Sequence, residues 1–146
     1  MTEQDKQLLL QDLCARLPYF VYIQIEDKTE PEPLNSFMDD DGFWFQLYDE
    51  NGIGEGYNVE QIKPYLRPMS SMTEEEKKSF QDACKKDMEI ALDEYDREFS
   101  SEFDTYAPLL SGYHKIDWLN SHHFDYRNLI EKGLALPAPE NMYKID

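Results

Sequence analysis

The chain has 146 residues, 40% hydrophobic and 14% aromatic, enough for one domain with a real core and too rich for a disordered chain. Its 31 acidic against 14 basic residues leave a net charge of −17, a field that repels nucleic-acid phosphates and anionic membrane surfaces. Direct nucleic-acid binding and a membrane role are therefore not expected, and a protein partner with a basic surface is.

Cys14 and Cys84 carry no CxxC spacing and lie in segments that read as helical, so two inert core thiols in a reducing cytosol are expected. The opening Met1-Thr2-Glu3-Gln4-Asp5 is acidic where a signal peptide is basic. No apolar run approaches the ~20 residues that cross a bilayer. The expectation is a cytoplasmic protein with a single domain over 1–146.

Thr2 is placed to cap a first helix, with Leu9, Leu13 and Leu17 on one stripe flanked by Leu10 and Cys14, and Pro18 ends it. Tyr19–Ile25 is aromatic and β-branched and reads as a strand, Glu26–Pro33 as a loop, and Phe43–Tyr48 as a second strand. Asn51-Gly52 signals a two-residue hairpin turn before a return strand at 57–59, with an irregular connection bracketed by Pro64 and Pro68. Thr73-Glu74-Glu75-Glu76 is a capping box. Phe80, Cys84, Met88, Leu92, Tyr95 and Phe99 then recur at three and four residues, an amphipathic helix near 74–99 of about seven turns. Its outer face is read as acidic, with Glu89, Asp93, Glu94, Asp96 and Glu98. Short helices are expected at 116–121 and 126–132, the second capped by Asp125 and stopped by Gly133, before an extended tail at 136–139. Together these describe an α+β fold with a small antiparallel sheet.

All three histidines, His114, His122 and His123, fall in one segment with Trp118, Phe124, Asp125, Tyr126 and Arg127. His122 and Asp125 are three apart, near enough on a helix to share an ion. The adjacent His122 and His123 point apart on any regular element, and no HxxxH or HExxH is present. The simpler reading packs the aromatic residues and leaves Trp118, His122, His123, Phe124, Tyr126 and Arg127 as partner contacts.

Asp49–Glu60 matches a calcium loop at Asp49, Asn51, Gly54 and Glu60 but fails at Ile53, where an oxygen ligand belongs, so a glycine-rich hairpin explains it with fewer exceptions. Gly52, Gly54 and Gly56 form no phosphate-binding motif and have no base nearby. No serine sits in a nucleophile elbow. No cofactor is expected and no catalytic residue is assigned.

Three blocks, DLCARLPY (12–19), IKPYLRPMSSMTEEE (62–76) and DWLNSHHFDYRNLIEKGLALPAPENMY (117–143), resemble short uncharacterised proteins of Bacteroides-type gut bacteria and their phages or mobile elements. The resemblance implies a setting, a small factor acting on host or phage machinery, and no activity. The sequence thus reads as a non-enzymatic acidic protein-binding or regulatory factor. Two alternatives stand beside it. Residues 26–60 hold eleven acids against the single Lys28, and 89–104 seven against Arg97, so one is a DNA mimic that fills the basic groove of a nucleic-acid enzyme. The other is a metal-dependent hydrolase using His122, His123 and Asp125.

Overall fold

Thr2 and Asp5 open the first helix reciprocally. The Thr2 hydroxyl accepts from Asp5 N at 3.1 Å and the Asp5 carboxylate from Thr2 N at 3.2 Å, satisfying amides that a helix start leaves free. The computed structural model describes residues 1–34, 36–39, 43–48, 54–98 and 113–144, with the backbone alone at 36–39, 43–48, 54–55 and 90–98. The fold is α+β and falls into two compact units, Met1–Met69 with His123–Asp146, and Ser70–His122.

In the first unit, helix α1 (Glu3–Arg16) buries Leu9, Leu10 and Leu13 as its spacing predicts, but also Asp12 and Arg16. Cys14 is exposed, against expectation. The buried positions 9, 10, 12, 13 and 16 define one face, and residue 14 turns away from it. Pro18 then sits in a 3-10 turn over Leu17–Tyr19, ended by Phe20 in the left-handed conformation at φ 54°. The strand expected from residue 19 therefore begins later, as β1 (Tyr22–Ile25).

Strand β1 pairs antiparallel with β2 (Glu32–Pro33), inside the segment read as a loop, and with β6 (Ile62–Leu66), inside the segment read as irregular. Two further strands precede and follow β4 (Phe43–Tyr48): β3 (Ser36–Asp39), which was not expected, and β5 (Gly54–Asn58), which starts before the expected 57–59. β3, β4 and β5 form an antiparallel sheet of their own. Tyr48 faces Gly54, whereas a two-residue turn at Asn51-Gly52 would set Tyr48 opposite Glu55. The connecting residues 49–53, and with them Asp49, Asn51 and Ile53 of the calcium-loop reading, lie outside the described residues.

Strand β6 hid behind Pro64. Glu26 N donates to Gln61 O at 3.0 Å, so by antiparallel alternation the bonded positions on β6 are Gln61, Lys63 and Tyr65. Pro64, opposite Ile23, falls between them, where no N–H is needed toward β1. Strand β7 (Leu136–Pro137), the expected extended tail, adds to β6 in parallel. The sheet β2-β1-β6-β7 is therefore mixed rather than purely antiparallel. Ile23, Ile25, Ile62 and Leu66 meet Leu9, Leu13, Leu129 and Leu134 in one core, each burial contributing roughly 1.5–3 kcal/mol.

The expected helix at 126–132 does not form. The Asp125 carboxylate accepts from Leu129 N at 2.9 Å and Ile130 N at 3.0 Å, and Asn128 turns left-handed at φ 58°. An acid bonding four and five residues on closes a loop of turns rather than capping a helix. Gly133, at φ 74°, takes the left-handed position its sequence context foretells.

In the second unit, Thr73 and Glu76 form the capping box of α2 (Glu74–Glu98) at 3.0 and 3.2 Å. Its described half turns Phe80, Ala83, Cys84 and Asp87 inward. Met88, expected on the apolar stripe, is exposed. A strict four-residue step drifts around the helix by about 40° each time, so the stripe rotates off the packed face. Helix α3 (Tyr113–Ser121) starts three residues earlier than expected.

Candidate functional site

The histidine segment crosses from one unit to the other between His122 and His123.

Asp87 explains the early start of α3. One carboxylate oxygen accepts from His114 N at 2.9 Å and lies 3.1 Å from the His114 ring nitrogen, while the other accepts from Lys115 N at 3.0 Å. A side chain on α2 thus caps the first turn of α3, a role usually filled from within the same helix. Burial works to raise the Asp87 carboxyl, but the bonds from Lys115 and His114 outweigh it and hold the group below its usual range. The cap's stabilisation is therefore present above the ordinary carboxylate pKa of about 4 and is lost as pH falls through the lower folded value. Asp87→Ala should destabilise the second unit by about 0.5–2 kcal/mol, read by Trp118 fluorescence during urea unfolding at neutral pH. The difference from wild type should shrink in acid, and an unchanged gap there would refute the assignment.

Trp118 packs on Phe80, centroids 5.2 Å apart, stacks on His122 at 3.9 Å, and donates from its indole to Ser79 Oγ at 2.8 Å. His122 Nδ1 lies 2.8 Å from Trp118 O. A carbonyl only accepts, so the ring donates there and its Nδ1 carries the proton.

Across the boundary, Phe124 is fully buried. Its segment pairs with the end of β6: Arg67 N donates to His123 O and Asp125 N to Arg67 O, both at 2.8 Å. The Arg67 guanidinium lies 4.2 Å from the Phe124 ring centroid. His123 is buried and left-handed at φ 64°, its ring stacked 3.7 Å from that of Tyr143. The Tyr143 hydroxyl accepts from Tyr22 N at 3.0 Å and donates to Tyr65 O at 2.6 Å. It thereby bridges β1 and β6 where their own ladder opens. Burial pushes this phenol well above its usual pKa, which suits a hydroxyl that stays protonated.

Beneath Phe124 lies a charge cluster. Arg16, fully buried, donates from Nε to Asp12 at 2.7 Å, and from Nη2 to Asp12 at 3.2 Å and Phe124 O at 2.6 Å. Arg127 approaches the same Asp12 carboxylate at 3.4 Å. Both guanidinium carbons lie 5.2 Å from the Tyr126 ring centroid, a distance at which each is attracted to the ring face. Arg16 Nη1 is buried and has no hydrogen-bond partner among the described residues.

Of the expected partner contacts, Trp118 and His122 thus belong to the second unit and His123, Phe124, Tyr126 and Arg127 to the first. Phe124 and His123 are buried, and the other four are partly buried. Of the acidic face, Glu89 is exposed; the side chains of Asp93, Glu94, Asp96 and Glu98 lie outside the described residues. Among the described residues no three His, Cys, Asp or Glu side chains gather as a metal site. Asp12, Arg16, Asp87 and Tyr143 were not singled out in the sequence. Only the Asp12–Arg16 pair left a signal there, opposite charges four apart on the leucine face. No described helix is long and apolar enough to cross a membrane. Compared with known proteins, the chain matches no family model, no curated protein and no solved structure.

Proposed function

We propose that this chain is a non-enzymatic acidic factor that binds a protein with a basic surface, in the phage or mobile-element setting its sequence blocks resemble. One observation carries the reading: the buried carboxylates of the described residues are committed to structural bonds. Asp12 holds Arg16, Asp87 caps α3, and Asp125 closes the turn after Tyr126. A carboxylate with its lone pairs spent on fixed donors is poorly suited to proton transfer or to holding an ion. That weighs against the hydrolase alternative, since Asp125 was its carboxylate. The remaining acid sits on a chain of net charge −17, where it steers and binds cationic surfaces.

The DNA-mimic alternative gains from α2 being continuous over 25 residues, about 37 Å at 1.5 Å per residue. It loses from Lys77, Lys78, Lys85 and Lys86, all exposed on the first half of that helix. Those cations break any imitation of a phosphate row. The test is to recover the partner from extracts of the host bacterium, purify it, and titrate binding against salt. Affinity should fall at least about tenfold between ~50 and ~200 mM salt. Binding indifferent to salt would sink the acidic-surface reading, and a partner that competes with duplex DNA would favour mimicry.

A further inference from the structure

Each end strand of the sheet β2-β1-β6-β7 carries or adjoins a pair of prolines one residue apart, Pro31 and Pro33 at one end and Pro137 and Pro139 at the other. Hydrogen bonds fix which way they face. Leu34 N donates to Val21 O at 2.8 Å, so the positions of β2 bonded to β1 are 32 and 34. Pro33, opposite Tyr22, and Pro31 on the same phase turn their ring nitrogens to the outer edge. On β7, Ala138 N donates to Leu66 O at 2.8 Å, so positions 136 and 138 face β6 and Pro137 and Pro139 face outward. The outward position before them, Ala135, already gives its N–H to Leu129 O at 3.2 Å. Positions 31, 33, 135, 137 and 139 therefore offer no amide hydrogen to a newcomer. Proline is a poor strand former, and four of the chain's eight prolines fall here, a placement that the stability of the sheet itself does not call for.

We propose that these prolines are edge guards, closing both ends of the sheet to strand addition by a second copy of this chain or by an extended segment of another protein. A strand that joins an edge takes an N–H and a C=O from every second residue it meets. At β2 and β7 it finds carbonyls at best, and a pyrrolidine ring stands where each N–H would be. The hazard they block is real, since an open edge is a template for pairing between chains. The strands behind the guards are apolar, with Val21, Ile23, Ile25, Ile62 and Leu66 all buried. A protein held by the acidic surface is accordingly not held by adding a strand to this sheet.

The test restores the missing donors. Pro31→Thr with Pro33→Thr opens β2, and Pro137→Thr with Pro139→Thr opens β7. Pro33, Pro137 and Pro139 are exposed and Pro31 is half-buried, so Pro33→Thr alone repeats the β2 test with the least disturbance to folding. Light scattering is read at about 1 M salt, where a Debye length of ~3 Å screens the repulsion between acidic copies. Each opened edge should raise the mass above that of wild type, toward twice the monomer, because one sticky edge closes on its own copy by two-fold symmetry. All four substitutions together should give open-ended assemblies, since the β2 edge of one copy can then take the β7 edge of the next. Hydrogen exchange should find the amides restored at 33 and 137 protected in those assemblies. Pro18→Thr, which removes an exposed proline away from either edge, should match wild type. A folded fourfold variant that keeps the wild-type mass overturns the proposal. So do assemblies in which the amides at 33 and 137 exchange freely, or a Pro18→Thr variant that associates as strongly as the edge variants.

Discussion

Asp12→Ala should lower the free energy of unfolding by about 3–5 kcal/mol, the usual result of stripping one partner from a buried ion pair. Asp12 and Arg16 are both fully buried, so the orphaned guanidinium has no water to turn to. Arg127, on the other side of the same carboxylate, loses its counter-charge at the same time. Urea denaturation would measure the loss directly. The pair Asp12→Leu with Arg16→Met should recover much of it, because apolar replacement of a whole buried pair is often neutral. What stays missing in that double variant reports the bond from Arg16 to Phe124 O. A single-variant loss below about 1 kcal/mol would mean that the cluster does not fasten α1 to residues 123–127, since exposed pairs give values of that size.

Phe124→Ala should cost a comparable 3–5 kcal/mol, the range for removing a fully buried aromatic ring. Its side chain is closed off from solvent and its backbone neighbours are tied to Arg67. A partner contact behaves differently: truncation weakens binding while the melting temperature stays put. Thermal unfolding of Phe124→Ala separates the two roles, and a variant as stable as wild type would return Phe124 to the surface.

The amphipathic elements were legible because each needs only its own letters. Thr2 and Thr73 announce α1 and α2, and the aromatic run at 43–48 announces β4. What escaped depends on residues far apart in the chain. β6 carries a proline and is a strand only because β1 lies beside it with the matching bond phase. α3 begins at Tyr113 because Asp87, 27 residues before His114, caps it. Asp125 looked like a helix cap and serves as a loop closure, since nothing local says whether its acceptors will meet the second and third amides or the fourth and fifth. The histidine segment gathers all three imidazoles with Trp118, Tyr126 and Arg127 in its letters. Density said little about use: His123 stacks on Tyr143, a residue twenty positions on.

The Tyr143 bridge bears on how the protein is made. The first unit draws α1, β1 and β6 from residues up to 69 but takes Leu129, Leu134, β7 and Tyr143 from beyond the second unit. A ribosome adding about 5–20 residues per second needs roughly four to fifteen seconds to travel from residue 69 to residue 143. Through that interval β6 has emerged without its parallel neighbour, and Ile62 and Leu66 lack the leucines that later cover them. The early half must wait for the late half. Rare codons or a stall between residues 70 and 140 lengthen the exposure of that sticky edge, so yield of folded protein should track translation speed across that region.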